Sequence, residues 1–328
     1  MKSFQLRTEV PVITSKWKIN HQTPTLTLGS CFAEVLGSQL SSFKFPVMNN
    51  PFGTLFNPYS IAKLLTMAME GQRPSRELYT QTADGIWLHY DFHSSFWAKS
   101  RTELEDKLIK KLADVKAYID LSQVLIITFG TAYAYRYRRD LSMITNCHKT
   151  PQSEFAKELL SAEQVIKQWV NLLHQLGQSK KVILTVSPVR HVKDTLALNQ
   201  VSKSVLRIVT HRLSELFSNV LYFPSLEIMM DELRDYRFYE DDMIHPSVLA
   251  RDYIFQNFSM AYFDEPTLDL MREWEAVRKM MEHKPMHGYI PSYQSLLVNI
   301  KDRIEKLAGR LPVEKELEQI EYRLRNNM

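Results

Sequence analysis

Cysteine is scarce in this 328-residue chain: only Cys31 and Cys147 are present. Two cysteines cannot build a disulfide framework, and they are too few for a cysteine-rich zinc site. Without a secretion signal, a single bridge between them is not expected. Residues Met1 to Ser15 carry Lys2, Arg7 and Glu9, with proline nearby, in place of the unbroken apolar run of a signal peptide. Long hydrophobic runs are absent too, and none approaches the roughly 20 apolar residues that span a bilayer. Membrane insertion is therefore not expected, and the cytoplasm is the default location. Charge of one sign is in short supply. The formal net charge is +4 and the basic residues are dispersed, so no nucleic-acid partner is expected. There is no P-loop and no GxGxxG, the usual marks of nucleotide and dinucleotide sites. The ten histidines are scattered, and Asp91 and His93 share a strand face without a further ligand. Neither a metal nor a required cofactor is expected. Internal repeats and low-complexity tracts are missing as well.

What remains is an ordinary globular composition, 45% hydrophobic and 24% charged. The length suits one large domain, or a domain with an appendage, and buries a sizeable core. Strand patterns fall at Thr23–Leu28, Phe45–Met48, Val124–Phe129, Lys181–Val186 and Asn219–Phe223. Helix patterns fall at Phe32–Phe43, Tyr59–Glu70, Thr102–Ile119, Ala162–Leu176, Lys203–Leu216 and Val248–Asn257. This alternation predicts a mostly parallel sheet flanked by helices. The runs at Val124–Phe129 and Lys181–Val186 do not alternate in polarity, as befits strands buried on both faces. Two insertions interrupt the order: an extra strand or hairpin within 80–96, and a β-excursion over 132–150. From about Glu265 charged helical segments, broken by Pro285 and Pro291, run to the end. The division read here is a domain over residues 1–264 and a helical extension over 265–328, packed on the core or on a partner subunit.

Ligands of parallel sheets bind outside the carboxyl ends of the strands. Four segments lie there. At Gly29-Ser30-Cys31 an apolar strand turns into a helix, which exposes a side chain at the sheet edge and aims backbone N–H groups at it. The plainer reading makes Ser30 a helix N-cap. At Asp242-x-x-His245, just before a helix entered through Pro246, the carboxylate can orient the imidazole and leave its other nitrogen as a base. The plainer reading is a solvated acidic loop. Asn50-Pro51-Phe52-Gly53-Thr54 and Phe129-Gly130-Thr131-Ala132 are turns that can present N–H or hydroxyl donors to an oxyanion.

The order of these segments resembles the GSCFA family, named for the motif standing here as Gly29-Ser30-Cys31-Phe32-Ala33. Further similar stretches are Asn50–Pro58, Asp91–Phe96, Phe129–Ala132, Asn146–Lys149, Ser187–His191, and Asn199, Ser202, Lys203, Asp242 and His245. The resemblance covers roughly residues 20–260 and leaves out the C-terminal segment. It implies kinship with the SGNH, or GDSL-like, hydrolases. That in turn implies a three-layer α/β/α sandwich with a flavodoxin-like sheet, and ester hydrolysis or acyl transfer through an acyl-enzyme. By register with Gly-Asp-Ser-Leu, Cys31 takes the nucleophile's place, and Ser30 is the alternative. Gly53 maps to an oxyanion donor. The asparagine of Gly-x-Asn-Asp is replaced by Ala132, so Thr131 or His148 would have to supply its hydrogen bond. Asp242 and His245 match the last block.

A cysteine at a helix N-terminus facing a histidine is expected to have a lowered pKa. A thiol nucleophile suits transfer through a thioester, with acyl-CoA a possible donor and Lys149, Arg190 and Lys203 as candidate phosphate contacts. Asn50 joins them in the substrate site. The expected substrate is an acylated small molecule or glycan, and the C-terminal helices suggest a homo-oligomer. The alternative function is a non-catalytic ligand-binding protein on the same scaffold.

Overall fold

The computed structural model describes residues 8–283 and 291–325; Lys2, Arg7 and Pro285, read above, lie outside them. In chain order the elements begin with β1 (Thr25–Gly29), α1 (Cys31–Ser42), β2 (Val47–Asn49) and α2 (Pro58–Glu70). The hairpin strands β3 (Tyr79–Gln81) and β4 (Trp87–His89) precede α3 (Arg101–Leu121) and β5 (Val124–Phe129). Next come β6 (Tyr133–Tyr137), β7 (Met143–Ile144), β8 (Phe155–Leu159), α4 (Ala162–Leu176) and β9 (Lys181–Val186). Then follow α5 (Leu196–Leu216), β10 (Val220–Phe223), the turn α6 (Ser225–Glu227) and α7 (Val248–Tyr262). The C-terminal block is α8 (Glu265–Glu282), α9 (Pro291–Leu307) and α10 (Glu314–Arg325).

The main sheet has the order β2-β1-β5-β9-β10, and every neighbouring pair in it is parallel. Along β5 the side chains divide between two cores. Leu125, Ile127 and Phe129 pack with α2, α3, α4 and α5. Val124 and Ile126 pack with α1 and α7. The result is the three-layer α/β/α arrangement expected from the sequence. The chain runs from β1 outward to β2, then returns past β1 to β5. Strand order therefore reverses between β1 and β5, and the carboxyl ends of these two strands border the crevice where such sheets bind ligands.

Several boundaries move for local reasons. The first two strands begin after Pro24 and Pro46 rather than before them, because proline has no N–H for the ladder. Helix α5 starts at Leu196, where Thr195 Oγ1 accepts from the Leu198 N–H. Lys203 is therefore about two turns inside the helix, not at its start. Helix α7 starts after Ser247, whose hydroxyl accepts from the Ala250 N–H at 3.3 Å. Pro246 instead pairs with Tyr239 in a short bridge outside the helix. The insertion at 80–96 is the antiparallel hairpin β3–β4. The excursion after β5 is larger than expected, a three-stranded sheet ordered β7-β6-β8 that ends at Leu159. Among the described residues, no helix is long and apolar enough to cross a membrane.

The C-terminal helices build their own apolar cluster from Leu270, Trp274, Leu297, Ile300, Ile304 and Ile320. They dock on the core at the far end of α1. There Trp274 Nε1 donates to the Ser42 carbonyl at 2.8 Å, and Lys44 pairs with Glu316 at 2.6 Å. Trp274 is 2% exposed. Trp274→Ala is expected to cost about 3–5 kcal/mol, read from urea unfolding. An unchanged midpoint would show that the block does not support the core.

Candidate functional site

The turn from β1 to α1 is set by backbone geometry. Gly29 has φ +136°, and a Cβ there would lie 2.1 Å from the Thr128 carbonyl oxygen of β5. Ser30 follows in extended conformation and is 1% exposed. Its Oγ accepts from the Phe32 N–H at 3.3 Å, and its own N–H donates to the Thr128 carbonyl at 3.1 Å. Ser30 thus performs the N-cap role. Cys31 is the first residue of α1 and is half-buried, beside the apolar cluster that also holds Ile244. Both cysteines are free. Burial pushes the Cys31 thiol up, against a smaller downward pull from Lys203 and from the Phe32 amide. The lowered pKa expected from the sequence is corrected here: loss of hydration outweighs the helix terminus and the neighbouring cation.

The loop before α7 closes as the motif implied. Asp242 Oδ1 accepts from the backbone N–H groups of Ile244 and His245, at 2.8 and 2.9 Å. Its Oδ2 lies 2.6 Å from His245 Nδ1. Met243 takes φ +57° to make this turn. The hydrogen bond from the His245 ring, followed by the two amides, holds the Asp242 carboxyl down at about 2. His245 remains 46% exposed, so its second nitrogen is accessible. The loop is tied to the segment after β9, where the Arg190 N–H donates to the Ile244 carbonyl at 3.2 Å. The Arg190 guanidinium stacks over Tyr239 at 3.8 Å and reaches the Met243 carbonyl. It acts on this loop as a clamp, not as the free phosphate contact expected from the sequence.

The other expected donors are largely engaged. The Gly53 N–H, expected to face an oxyanion, donates to the Asn50 carbonyl at 2.8 Å. The Thr131 hydroxyl pairs with Ser202 Oγ at 2.9 Å and accepts from the Tyr133 N–H. The Thr131 N–H donates to the Phe56 carbonyl. Ala132, in the place of the missing asparagine, donates its N–H to Ser202 Oγ at 2.7 Å. His148 lies on the excursion, its Nε2 2.8 Å from the His89 carbonyl and its ring stacked near Tyr90. Burial pushes its pKa down. Lys149 is exposed at the end of the same segment. Asn50 is different. Its Oδ1 accepts from the Gly29 N–H at 3.0 Å, which orients the amide. Its Nδ2 is buried and has no hydrogen-bond partner.

Lys203 is 2% exposed, so it is not the open phosphate contact expected from the sequence. Its Nζ donates to the Gly130 and Ser187 carbonyls, each at 2.7 Å, and so joins the carboxyl ends of β5 and β9. Burial lowers its pKa to about 7. His191 is a residue that the sequence reading did not place in the site. It packs edge-on to Phe56 at 5.7 Å, and its Nε2 is buried without a partner. Burial first, then Lys203, with a smaller part from His245, pushes it down to about 4. The available signal was its position just past the end of β9, within Ser187–His191.

A groove of about 730 Å³ between α1, α7 and α8, lined by Phe43, Phe255 and Met271, lies at the other end of α1 from Cys31. Among the described residues, no group of three or more His, Cys, Asp or Glu is placed to hold a metal ion.

A comparison with curated protein sequences returns no match. Family models are informative. The C-terminal segment, expected to fall outside the resemblance, matches the C-terminal domain of GSCFA domain proteins over residues 274–326. The GSCFA family itself matches over residues 24–258, a span that contains the β1–α1 turn, the ends of β5 and β9, and the Asp242–His245 loop. This chain belongs to the GSCFA family.

Proposed function

We propose that the protein is an SGNH-like acyl-transfer enzyme, an esterase or acyltransferase acting on an acylated small molecule or glycan, with Cys31 as the nucleophile. The observation that carries this reading is the Asp242–His245 pair, 2.6 Å apart and with the imidazole still open to solvent. Asp242 holds the proton on Nδ1, so Nε2 is free to accept one. Cys31 supplies the matching group. Ser30 already serves as the cap, whereas the Cys31 thiol stands at the start of α1, beside the cluster that packs Ile244.

In the proposed reaction His245 Nε2 takes the thiol proton as sulfur attacks the acyl carbonyl. The C–S bond forms, and the leaving alkoxide departs with the proton returned by the imidazolium. Water or an acceptor alcohol, deprotonated by the same imidazole, then cleaves the thioester. The unpaired Asn50 Nδ2 is the donor best suited to replace the one lost at Ala132. Asn50→Ala is expected to lower the acylation rate about 10²–10³-fold, the usual loss for one oxyanion donor. A rate within threefold of the parent would remove Asn50 from that role. With Lys203 buried and Arg190 stacked, Lys149 is the exposed cation of the three considered for an acyl-CoA donor.

The second reading, a non-catalytic ligand-binding protein, draws on the upward shift of the Cys31 thiol and on Ala132. Labelling separates the two. The protein is incubated with iodoacetamide and, separately, with a fluorophosphonate, and adducts are located by mass spectrometry. An adduct at Cys31 that requires His245 supports the enzyme. An adduct at Ser30 transfers the nucleophile's role to serine. No adduct at either residue favours the binding protein.

A further inference from the structure

The His191 ring carries a polar atom with nothing to bond. Its Nε2 is buried and makes no hydrogen bond of ordinary geometry among the described residues. A buried nitrogen left unsatisfied is costly, and a partner that arrives with a ligand removes that cost. The rest of the residue is held by packing. Its backbone N–H donates to Asn199 Oδ1, in the first turn of α5, at 3.0 Å. Its ring stands edge-on to Phe56, with centroids 5.7 Å apart and planes at 88°. Phe56 is fixed in turn: its carbonyl accepts from the Gly130 and Thr131 N–H groups, just past β5, at 2.8 Å each. Two further contacts tie this place to the reacting groups. A Cβ at Gly130 would stand 3.1 Å from Ser30 Cβ, so the end of β5 touches the residue preceding Cys31. The Arg190 N–H donates to the Ile244 carbonyl at 3.2 Å, which joins the neighbours of His191 and His245. His191 therefore borders both the elbow and the Asp–His loop. Asn50, the other residue of the site with an unpaired buried nitrogen, follows β2, whereas His191 follows β9. The ends of β1 and β5 lie between those two strands in the sheet.

We propose that His191 is a catalytic residue of the acyl transfer, its Nε2–H donating to the substrate carbonyl oxygen as the Cys31 sulfur attacks. On attack the C–S bond forms and the carbonyl π pair moves to oxygen, where His191 Nε2–H and Asn50 Nδ2–H bond it. No proton is transferred to that oxygen. On collapse the pair returns, the carbonyl re-forms and the C–O bond to the leaving group breaks. The departing alkoxide takes its proton from the His245 imidazolium. The two histidines thus divide the work. Exposed His245, oriented by Asp242, exchanges the proton. Buried His191 is held down at about 4, chiefly by burial and then by Lys203, so it is neutral where the enzyme would work. A neutral imidazole has one N–H to donate, can polarise a carbonyl, and does not compete with His245 as the base. The role rests on the reading of the protein as an enzyme with Cys31 as nucleophile.

The test compares two reactions of Cys31 in the full chain, each followed by mass spectrometry. Acylation by p-nitrophenyl acetate builds an oxyanion, whereas alkylation by iodoacetamide does not. His191→Phe keeps a ring but has no donor. Its acylation is expected to fall about 10²–10³-fold, with alkylation of Cys31 within about threefold of the parent. His191→Gln, whose amide nitrogen can stand in for Nε2, is expected to keep acylation within about tenfold. Acylation of His191→Phe at the parent's rate overturns the role. Equal losses in both reactions mean that the surroundings of Cys31 have been disturbed, and overturn it too. A second measurement avoids the risk that His191→Phe fails to fold. In the parent, the His191 Nε2 resonance in 15N NMR is expected to move when Cys31 adds to trifluoroacetone, with the tetrahedral adduct confirmed by 19F NMR. An unmoved resonance in the presence of the adduct overturns the role. Acylation that is present in the parent and unaffected in His191→Phe leaves the enzyme standing without this donor. A parent whose Cys31 is never acylated removes the enzyme, and the role with it.

Discussion

Gly29→Ala is expected to destabilise the protein by more than about 4 kcal/mol, a loss comparable with the whole stability of many domains. Two effects combine at this position. The backbone has φ +136°, which L side chains rarely adopt, and the new methyl would stand 2.1 Å from Thr128 O and 2.9 Å from Thr128 C. Those are backbone atoms of β5, a central strand, so no rotamer change relieves the clash. Separating β1 from β5 would break the Ser30 N–H to Thr128 O bond and pull Asn50 Oδ1 off the Gly29 N–H. The measurement is urea or thermal unfolding. A melting midpoint within a few degrees of the parent would mean that the turn relaxes freely, and the rigid elbow described here would be wrong.

His245→Ala is expected to slow Cys31 acylation by at least 10²-fold, within the range that general bases contribute. The fold should be unaffected, because the imidazole is 46% exposed and its ring partner is the surface residue Asp242. A loss of turnover with an unchanged melting midpoint is the expected result, and undiminished acylation would exclude His245 as the base. Asp242 shapes the pH profile by staying charged. Its carboxyl is held at about 2, below the ordinary carboxylate value. A depressed pKa means the Asp242–His245 contact is fully present above that ordinary value and is lost as pH falls through about 2. Between pH 5 and 8 the carboxylate therefore stays charged and adds no inflection of its own to the rate. An inflection near pH 4 that vanishes in Asp242→Asn would contradict this assignment.

The layers of the fold were readable because the signal is local. Val124–Phe129 and Lys181–Val186 are apolar on both faces, and the structure makes them neighbouring central strands. Ala162–Leu176 shows helical periodicity and begins with Ser161 in a capping box with Gln164. Asp242-x-x-His245 was readable for the same reason, since both partners lie on one loop. Errors arose where the deciding partner is distant in sequence. Lys203 looks like an open phosphate contact until Gly130 and Ser187, just past the ends of β5 and β9, are brought to it. Arg190 looks free until Tyr239 lies beneath it. Gly53 is the exception, since Asn50 of the same turn takes its N–H.

Cys31 shows the same division. Its place just after a strand and at a helix start is written in Gly29-Ser30-Cys31, because turn chemistry and capping act over a few residues. Its ionisation is not. That depends on how much water α1 and α7 exclude and on a cation from α5, both consequences of packing. The sequence alone determined the order of strands and helices, the elbow and the Asp–His loop. Only the tertiary structure decided that Lys203 is buried between the ends of β5 and β9, and that Asn50 keeps an unpaired donor. Burial and long-range electrostatics are properties of assembled surfaces, and no short stretch of chain carries them.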